Sequence, residues 1–156
     1  MSELTVPTVA VAADVVCADG RRFEGRLFVP AAAPTHAGPA RAEDWMNEPS
    51  PFFPFGPKEG GPPVLLNKRE VLFVTVDADA DAGDLPEETG NPSRRVAVEA
   101  EGQRLHGTIV VDMPQGHTRI LDYLNRPLPF VTLRDGDRHH LIQKERITRV
   151  LEIAEA

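Results

Sequence analysis

An internal repeat constrains the fold of this chain more than any other feature of its sequence. The stretch RAEDWMNEPSPF, which runs from Arg41 to Phe52, aligns with RILDYLNRPLPF, which runs from Arg119 to Phe130. The two share Arg, Asp, Asn, two prolines and Phe in one register. The stretches before them, DGRRFEGRLFVP and AEGQRLHGTIVVD, also correspond. We therefore expect the 156 residues to fold as two small modules of similar structure.

Each copy of the repeat is typical of β-strands joined by tight turns. β-branched residues precede Gly20 and Gly102, and a second glycine, Gly25 or Gly107, follows where a bulge or a close backbone approach is expected. Further on, PVLLNKREVLFVTV and HHLIQKERITRVLEI each give an apolar strand, a polar corner that can hold one 3₁₀ turn, and a second apolar strand. The 15 prolines and 12 glycines also favour short elements, so the chain is predicted to be mainly β.

The shared phrase predicts one short helical turn in each copy. In residues 40–47 and 118–125, apolar side chains recur at i, i+3 and i+4, which gives each turn one face toward the sheet: Ala42, Trp45 and Met46, and Ile120, Tyr123 and Leu124. Asn47 and Asn125 suit the helix C-terminus, because Asn tolerates the left-handed conformation. A proline two residues later in each copy prevents the helix from continuing.

The paired acids and amides of this phrase have two interpretations. Asp44 and Asp122, together with Asn47 and Asn125, could line a ligand pocket that pseudo-symmetry repeats. Local capping explains the same spacing without a ligand, because these side chains most often satisfy backbone groups at turns. We favour the capping interpretation.

An acidic segment separates the two copies. The stretch DADADAGDLPEETGNPS, from Asp77 to Ser93, has no apolar periodicity and predicts a solvated linker at residues 78–91. The first β-barrel repeat then spans residues 8–77, and the second spans 92–154. Acids occupy positions one, three, five and twelve of a calcium-binding loop, at Asp77, Asp79, Asp81 and Glu88. Because Ala82 stands at position six, where that loop needs glycine, we favour a linker over a calcium site.

Composition and missing motifs disfavour several functional classes. A formal net charge of −7 argues against a broad surface for nucleic acid or anionic membranes. Cys17 is the single cysteine, which excludes an intramolecular disulfide and the usual structural zinc sites. The chain has no signal-peptide pattern, no apolar run near the roughly 20 residues that span a bilayer, and no nucleotide-binding or nucleophile motif. We expect a cytoplasmic protein that is not an enzyme and has no cofactor and no metal site.

Each copy resembles the Sm-like, SH3-like small β-barrels. The resemblance lies in the glycine of the second strand, in the D-x-x-N of the shared phrase, and in the corners LLNKREV and LIQKERI. The phrase R-x-x-D-x-L-N also resembles one found in uncharacterised bacterial domains. The Sm resemblance implies a barrel that associates edge to edge and can bind an extended ligand. The inserted helical turn, the tandem arrangement and the negative net charge depart from the Sm pattern.

Two groups of side chains are candidates for binding. The aromatic cluster of PSPFFPF and the shared phrase predicts a partner-binding patch, with the protein core as the alternative: Trp45, Phe52, Phe53 and Phe55. The basic residues of the two corners are the candidate RNA contacts if the Sm resemblance extends to function: Lys68, Arg69, Lys144 and Arg146.

We therefore predict a non-catalytic binding or scaffolding protein that acts through protein–protein association of a tandem β-barrel, with a protein partner or with itself as an oligomer. The first alternative is an Sm-type RNA-binding protein, although the charge disfavours nucleic acid as a partner. The second alternative is a small-molecule or calcium-responsive sensor that uses the Asp and Asn turns or the acidic linker.

Overall fold

The structure is a computed structural model, and it describes residues 8–30, 41–78, 93–111 and 119–153. These residues form ten strands and two short α-helices, as the predicted mainly β fold requires. The first half contains β1 (Thr8–Cys17), β2 (Arg22–Pro30), α1 (Ala42–Asn47), β3 (Phe52–Pro57), β4 (Val64–Asn67) and β5 (Val71–Asp77). The second half contains β6 (Ser93–Ala100), β7 (Gln103–Val110), α2 (Ile120–Leu124), β8 (Phe130–Asp135), β9 (Arg138–Gln143) and β10 (Ile147–Glu152).

The local elements expected from the repeat are present in both halves. The helical turns lie where the shared phrase predicts them, and each polar corner holds a 3₁₀ turn, Lys68–Glu70 in the first half and Lys144–Arg146 in the second. Residues 79–92 of the acidic segment lie outside the described residues, so the calcium-loop positions Asp79, Asp81 and Glu88 are outside them too. The described helices are all too short and too polar to cross a membrane.

The ten strands form one antiparallel sheet in the order β10-β6-β7-β8-β9-β5-β1-β2-β3-β4. Within each half, the fifth strand pairs with the first, and the first four strands follow in chain order. The pairing of β5 with β9 joins the two halves. The sheet is not closed and ends at β10 and β4, so the two expected barrels are not confirmed.

The two halves pair their strands in the same register. Phe52 lies opposite Asn67 in the β3–β4 ladder, and Phe130 lies opposite Gln143 in the β8–β9 ladder. The ladders continue pair by pair, which makes Leu65 the structural equivalent of Leu141. The fifth strands correspond in the same way, because Val74 lies opposite Val15 and Val150 lies opposite Val98, each two pairs beyond a register shift at the corner.

Two buried clusters of apolar side chains form the core. One is built on β1, β2, α1, β3 and β5 of the first half, and the other on β6, β7, α2, β8 and β9 of the second half. Each also takes side chains from the opposite half: Phe130 and Leu141 lie in the first cluster, and Val16, Leu72 and Phe73 lie in the second. The halves are therefore joined by shared core packing as well as by the β5–β9 ladder.

The acids of the shared phrase cap their own helices, as the favoured interpretation required. An Asp44 carboxylate oxygen accepts a hydrogen bond from the backbone N–H of Arg41 at 2.9 Å, and Asp122 does the same for Arg119 at 3.2 Å. The left-handed conformation expected for Asn47 and Asn125 is wrong. In the described part of the chain, Glu101 is the one residue other than glycine with a positive φ, and Asn125 has a φ of −86°.

The repeated glycines Gly25 and Gly107 allow a close approach of neighbouring backbones. A Cβ atom at Gly25 would overlap the carbonyl oxygen of Gly56, and one at Gly107 would overlap the carbonyl oxygen of Arg134. Both glycines therefore permit strand contacts that no other residue can make, in agreement with the sequence interpretation.

We predict that Gly25→Ala destabilises the fold by at least about 2 kcal/mol, because backbone must shift to relieve the overlap. Gly107→Ala should act in the same direction in the second half. Urea unfolding followed by circular dichroism measures both free energies of unfolding. A cost near zero at both positions would contradict the close approach.

Candidate interaction site at the sheet edge

The exposed apolar side chains of this protein gather at the two ends of the sheet. Six large apolar residues are exposed among the described residues. Phe52, Val64 and Leu65 lie on β3 and β4 at one end; we call these three the β4 strip. Leu121 in α2 and Ile153, which follows β10, lie at the other end of the sheet. The sixth residue, Val9, lies on β1, away from both ends. Contiguous exposed apolar surface is typical of interaction sites, whereas scattered single residues are not.

The predicted aromatic patch is only partly at the surface. Phe53 and Phe55 are fully buried in the first core cluster, so their assignment as partner-binding residues is wrong. Trp45 is half-buried and packs against the same cluster, whereas Phe52 is exposed. Side chains alternate along a strand, so Phe53 and Phe55 share one face of β3 and Phe52 points to the other. Leu65, opposite Pro54, lies on the same face as Phe52, whereas Val64, opposite Phe55, lies on the other face of the edge strand. The sequence pattern assigns these two residues to an apolar strand and does not predict that they are exposed.

The lysines of the two corners act within the fold. The Lys68 ammonium is buried, and it donates hydrogen bonds to the carbonyl oxygens of Trp45 at 3.0 Å and Glu48 at 2.6 Å at the end of α1. Burial lowers the pKa of Lys68, although the nearby Glu48 carboxylate opposes this shift. Lys144 donates in the same way to the carbonyl oxygen of Arg126 beyond α2. Both lysines therefore donate to backbone carbonyl oxygens at or just beyond a helix end, where cations are favourable.

The remaining basic candidates lie where the two corners meet. Arg146 donates two hydrogen bonds to the carbonyl oxygen of Arg69, at 3.1 and 2.5 Å. The side-chain amide of Gln143 points at three carbonyl oxygens of the first corner, those of Lys68, Arg69 and Val71, at 2.6 to 3.1 Å. Of the four candidate RNA contacts, the side chain of Arg69 is the one that stays exposed at the surface. The side chains of Gln143 and Arg146 therefore hold the second corner to the first.

Specific hydrogen bonds join the two halves, two between α1 and β8 and one between β5 and β9. The backbone N–H of Phe130 donates to the side-chain oxygen of Asn47 at 2.8 Å, and the Thr132 hydroxyl donates to the Glu43 carboxylate at 2.5 Å. Thr75 and His140 form a further hydrogen bond at 2.8 Å between the Thr75 hydroxyl and the His140 Nδ1. The Asn of the shared phrase in the first half therefore has a role that the sequence did not indicate, which is to bind the neighbouring module.

A groove of about 470 Å³ lies at the other end of the sheet, between α2 and β10. Apolar and polar side chains line it in similar measure: Leu124, Asn125, Lys144, Ile147, Thr148, Arg149 and Val150. Asn125 is exposed there, while its equivalent Asn47 binds Phe130. The groove lies between α2 and β10 of the second half. Their equivalents in the first half, α1 and β5, are the elements that receive Phe130.

The described residues show little that would support a metal-responsive sensor or a reactive cysteine. Among these residues, no three His, Cys, Asp or Glu side chains lie close enough together to hold a metal ion. Cys17 is buried, and burial raises the pKa of its thiol, which disfavours the reactive thiolate. A polar groove of about 290 Å³ over β1, β2 and β5 carries charges of both signs, and Arg138 pairs with Asp14 there at 3.9 Å.

Comparison with known proteins gives no match. The chain matches no protein family, no curated protein and no solved structure.

We predict that Asn47→Ala lowers the free energy of unfolding by about 1–3 kcal/mol, because it leaves the part-buried N–H of Phe130 without an acceptor. Asn125→Ala is the matched control, because Asn125 is the equivalent residue of the second half and is exposed. At protein concentrations too low for association, it should change the free energy of unfolding by less than about 0.5 kcal/mol. Urea unfolding at low protein concentration compares the two. Equal costs would contradict the assigned role of Asn47 in the joint.

We also predict that Lys68→Met destabilises the protein by about 1–3 kcal/mol, because the carbonyl oxygens of Trp45 and Glu48 lose a charged hydrogen-bond donor. Lys58→Met, at an exposed position of the β3–β4 loop, is the control and should be nearly neutral. Thermal unfolding of both variants measures the difference. A neutral Lys68→Met would show that the ammonium is not needed there.

Proposed function

We propose that this chain is a non-catalytic assembly protein, built of two Sm-like, SH3-like modules, that binds a protein partner through the β4 strip. The observation that carries the proposal is the strip itself: Phe52 and Leu65 are exposed on one face of the neighbouring strands β3 and β4, and Val64 is exposed on the other face, at the end of the sheet. An edge strand offers unpaired backbone groups, and a partner strand can add to them. The apolar side chains would then supply affinity and select the partner.

The strand order supports a reading of the chain as two modules of one kind. Both halves repeat the sequence of neighbours fifth, first, second, third and fourth strand, and the fourth strand of the second half pairs with the fifth strand of the first. Edge-to-edge association is therefore already used once within the chain. Binding a further strand at β4 would extend the same mode of contact.

The energetics favour a covered rather than an exposed strip. Full burial of an exposed Phe, Val or Leu side chain contributes about 1.5–3 kcal/mol, and covering Phe52, Val64 and Leu65, which are 53%, 38% and 69% exposed, would contribute roughly half of that each. A stable interface needs roughly 1,200–2,000 Å² of total buried surface, so the partner must also contact residues beyond these three. Natural proteins usually protect apolar edge strands with charges or proline, and within β4 itself, VLLN, neither is present.

The RNA-binding alternative has less support. Lys68 and Lys144 direct their ammonium groups at helix-end carbonyl oxygens, and Arg146 binds the opposite corner. Phosphate binding needs several accessible cations together, and the chain carries a net charge of −7. We therefore rank a protein partner above a nucleic acid.

The proposal predicts that a photo-reactive amino acid placed at Leu65 crosslinks to a protein when the chain is expressed in its native host. The same amino acid at Val9, which is also exposed but lies away from the strip, is the control. Gel electrophoresis and peptide mass spectrometry identify the adduct. Protein adducts that form at position 65 and not at position 9 support the proposal.

Absence of an adduct at position 65 would contradict the proposed function, and a nuclease-sensitive adduct would favour the RNA-binding alternative instead.

A further inference from the structure

The β4 strip has a counterpart inside the molecule whose binding site is known. By the shared register, Phe52 is the equivalent of Phe130, and Leu65 is the equivalent of Leu141. Phe52 and Leu65 are 53% and 69% exposed, whereas Phe130 and Leu141 are 1% and 0% exposed. The difference arises because Phe130 and Leu141 insert into the core cluster of the first half. The same pair of side chains thus occurs once inserted and once exposed.

The receiving site is also present twice. In the first half, Phe130 and Leu141 share a core cluster with Met46 of α1 and with Val71 and Val74 of β5, and Asn47 accepts the Phe130 N–H. The equivalent positions in the second half are Leu124, Ile147, Val150 and Asn125. All four line the groove between α2 and β10. One end of the sheet therefore carries the inserting side chains, and the other end carries a vacant copy of the site that receives them.

We propose, building on the proposed function, that the partner is a second molecule of this chain, and that its α2–β10 groove receives Phe52 and Leu65. The strand β4 of one molecule pairs antiparallel with β10 of the next. Its register repeats that of β5 and β9, in which Val74 lies opposite Leu141. Leu65 of one molecule is then opposite Val150 of the next, and the Phe52 N–H is placed to donate to the Asn125 side chain.

The residues at the two free ends of the sheet differ from their equivalents in the internal contact in a way that suits this pairing. Within the molecule, the polar contact between Thr132 and Glu43 lies next to the inserted Phe130. The equivalents of these two residues are Pro54 and Leu121, which are both apolar. Leu121 is 55% exposed in a single molecule and would be covered by the next. Where the internal contact has a polar pair, the two free ends carry an apolar pair, Pro54 on one end and Leu121 on the other.

A second pair follows the same pattern. Thr75 and His140 bond to each other across β5 and β9. Their equivalents are Leu151 on β10 and Val64 on β4. The contact between molecules is therefore more apolar than the contact within the molecule, which suits association without a covalent connection.

The joint is head to tail, because it brings together two different surfaces of one chain. Such heterologous contacts build rings when the rotation from one molecule to the next closes, and filaments when it does not. Pairing of two β4 strands around a two-fold axis would leave the α2–β10 groove empty. The two arrangements can be separated by variants that damage one end only.

The test uses Leu65→Glu, which damages the inserting end, and Leu121→Glu, which damages the receiving end. Both positions are exposed, and an acid in the first turn of α2 agrees with the helix dipole, so both variants should fold. Val9→Glu is the control for an added charge at an exposed apolar position. Circular dichroism verifies the fold, and light scattering measures the mass in solution.

We expect the wild type and Val9→Glu to exceed the monomer mass, and each of the other variants alone to be monomeric. An equimolar mixture of Leu65→Glu and Leu121→Glu should form a one-to-one dimer, because the mixture contains one intact inserting end and one intact receiving end. A mixture that stays monomeric overturns the proposal. An assembly that survives Leu121→Glu but not Leu65→Glu also overturns it, in favour of two-fold pairing of β4.

A wild type that is monomeric at the highest attainable concentration overturns the second molecule as partner. The proposed function then depends on the crosslink at Leu65, which would identify another protein. The two proposals can therefore fail separately.

Discussion

The insertion of Phe130 and Leu141 into the core of the first half is the interaction on which the rest of this structure depends. It accompanies the β5–β9 ladder, which turns two five-stranded units into one sheet. Without it, Met46, Val71 and Val74 would lose apolar neighbours, and an edge of each half would be open to water. Burial of two such side chains contributes about 3–6 kcal/mol, which is comparable to the whole stability of a small domain.

The same interaction explains why the two ends of the sheet differ. One joint between two modules uses one inserting edge and one receiving edge, and it leaves one of each kind unused. The unused inserting edge is β4, and the unused receiving edge is β10. A chain of two such modules is therefore incomplete in a defined way, and the apolar residues Phe52, Leu65 and Leu121 are exposed for that reason.

Much of the fold can be predicted from the repeat, but the joint cannot. The strands, the helical turns and the corner turns follow from glycine spacing and apolar periodicity, because these signals are local. The inclusion of Phe53 and Phe55 in a surface patch failed because clustering of aromatic residues was given more weight than the two-residue alternation of a strand. Reading β3 with that alternation would have assigned Phe53 and Phe55 to the core.

The roles of Lys68 and Asn47 depend on contacts that local patterns do not encode. Lys68 lies 20 residues from the Glu48 carbonyl oxygen that it binds, and Asn47 lies 83 residues from Phe130. Charge alone made the corner lysines resemble phosphate ligands. The match between Phe52 and Phe130 was visible in the aligned phrases, although the sequence could not indicate that one is buried and the other exposed.

Disulfide trapping in the expected register tests the central claim most directly. A variant with Leu65→Cys and Val150→Cys, in a Cys17→Ala background, brings two thiols to directly opposite positions if β4 pairs with β10 of another molecule, and such pairs are close enough for a disulfide. We predict that mild oxidation produces disulfide-linked dimers and higher oligomers on a non-reducing gel. Much less linkage is expected when Glu152→Cys replaces Val150→Cys. Equal linkage for both pairs, or efficient linkage through Leu65→Cys alone, would contradict the account.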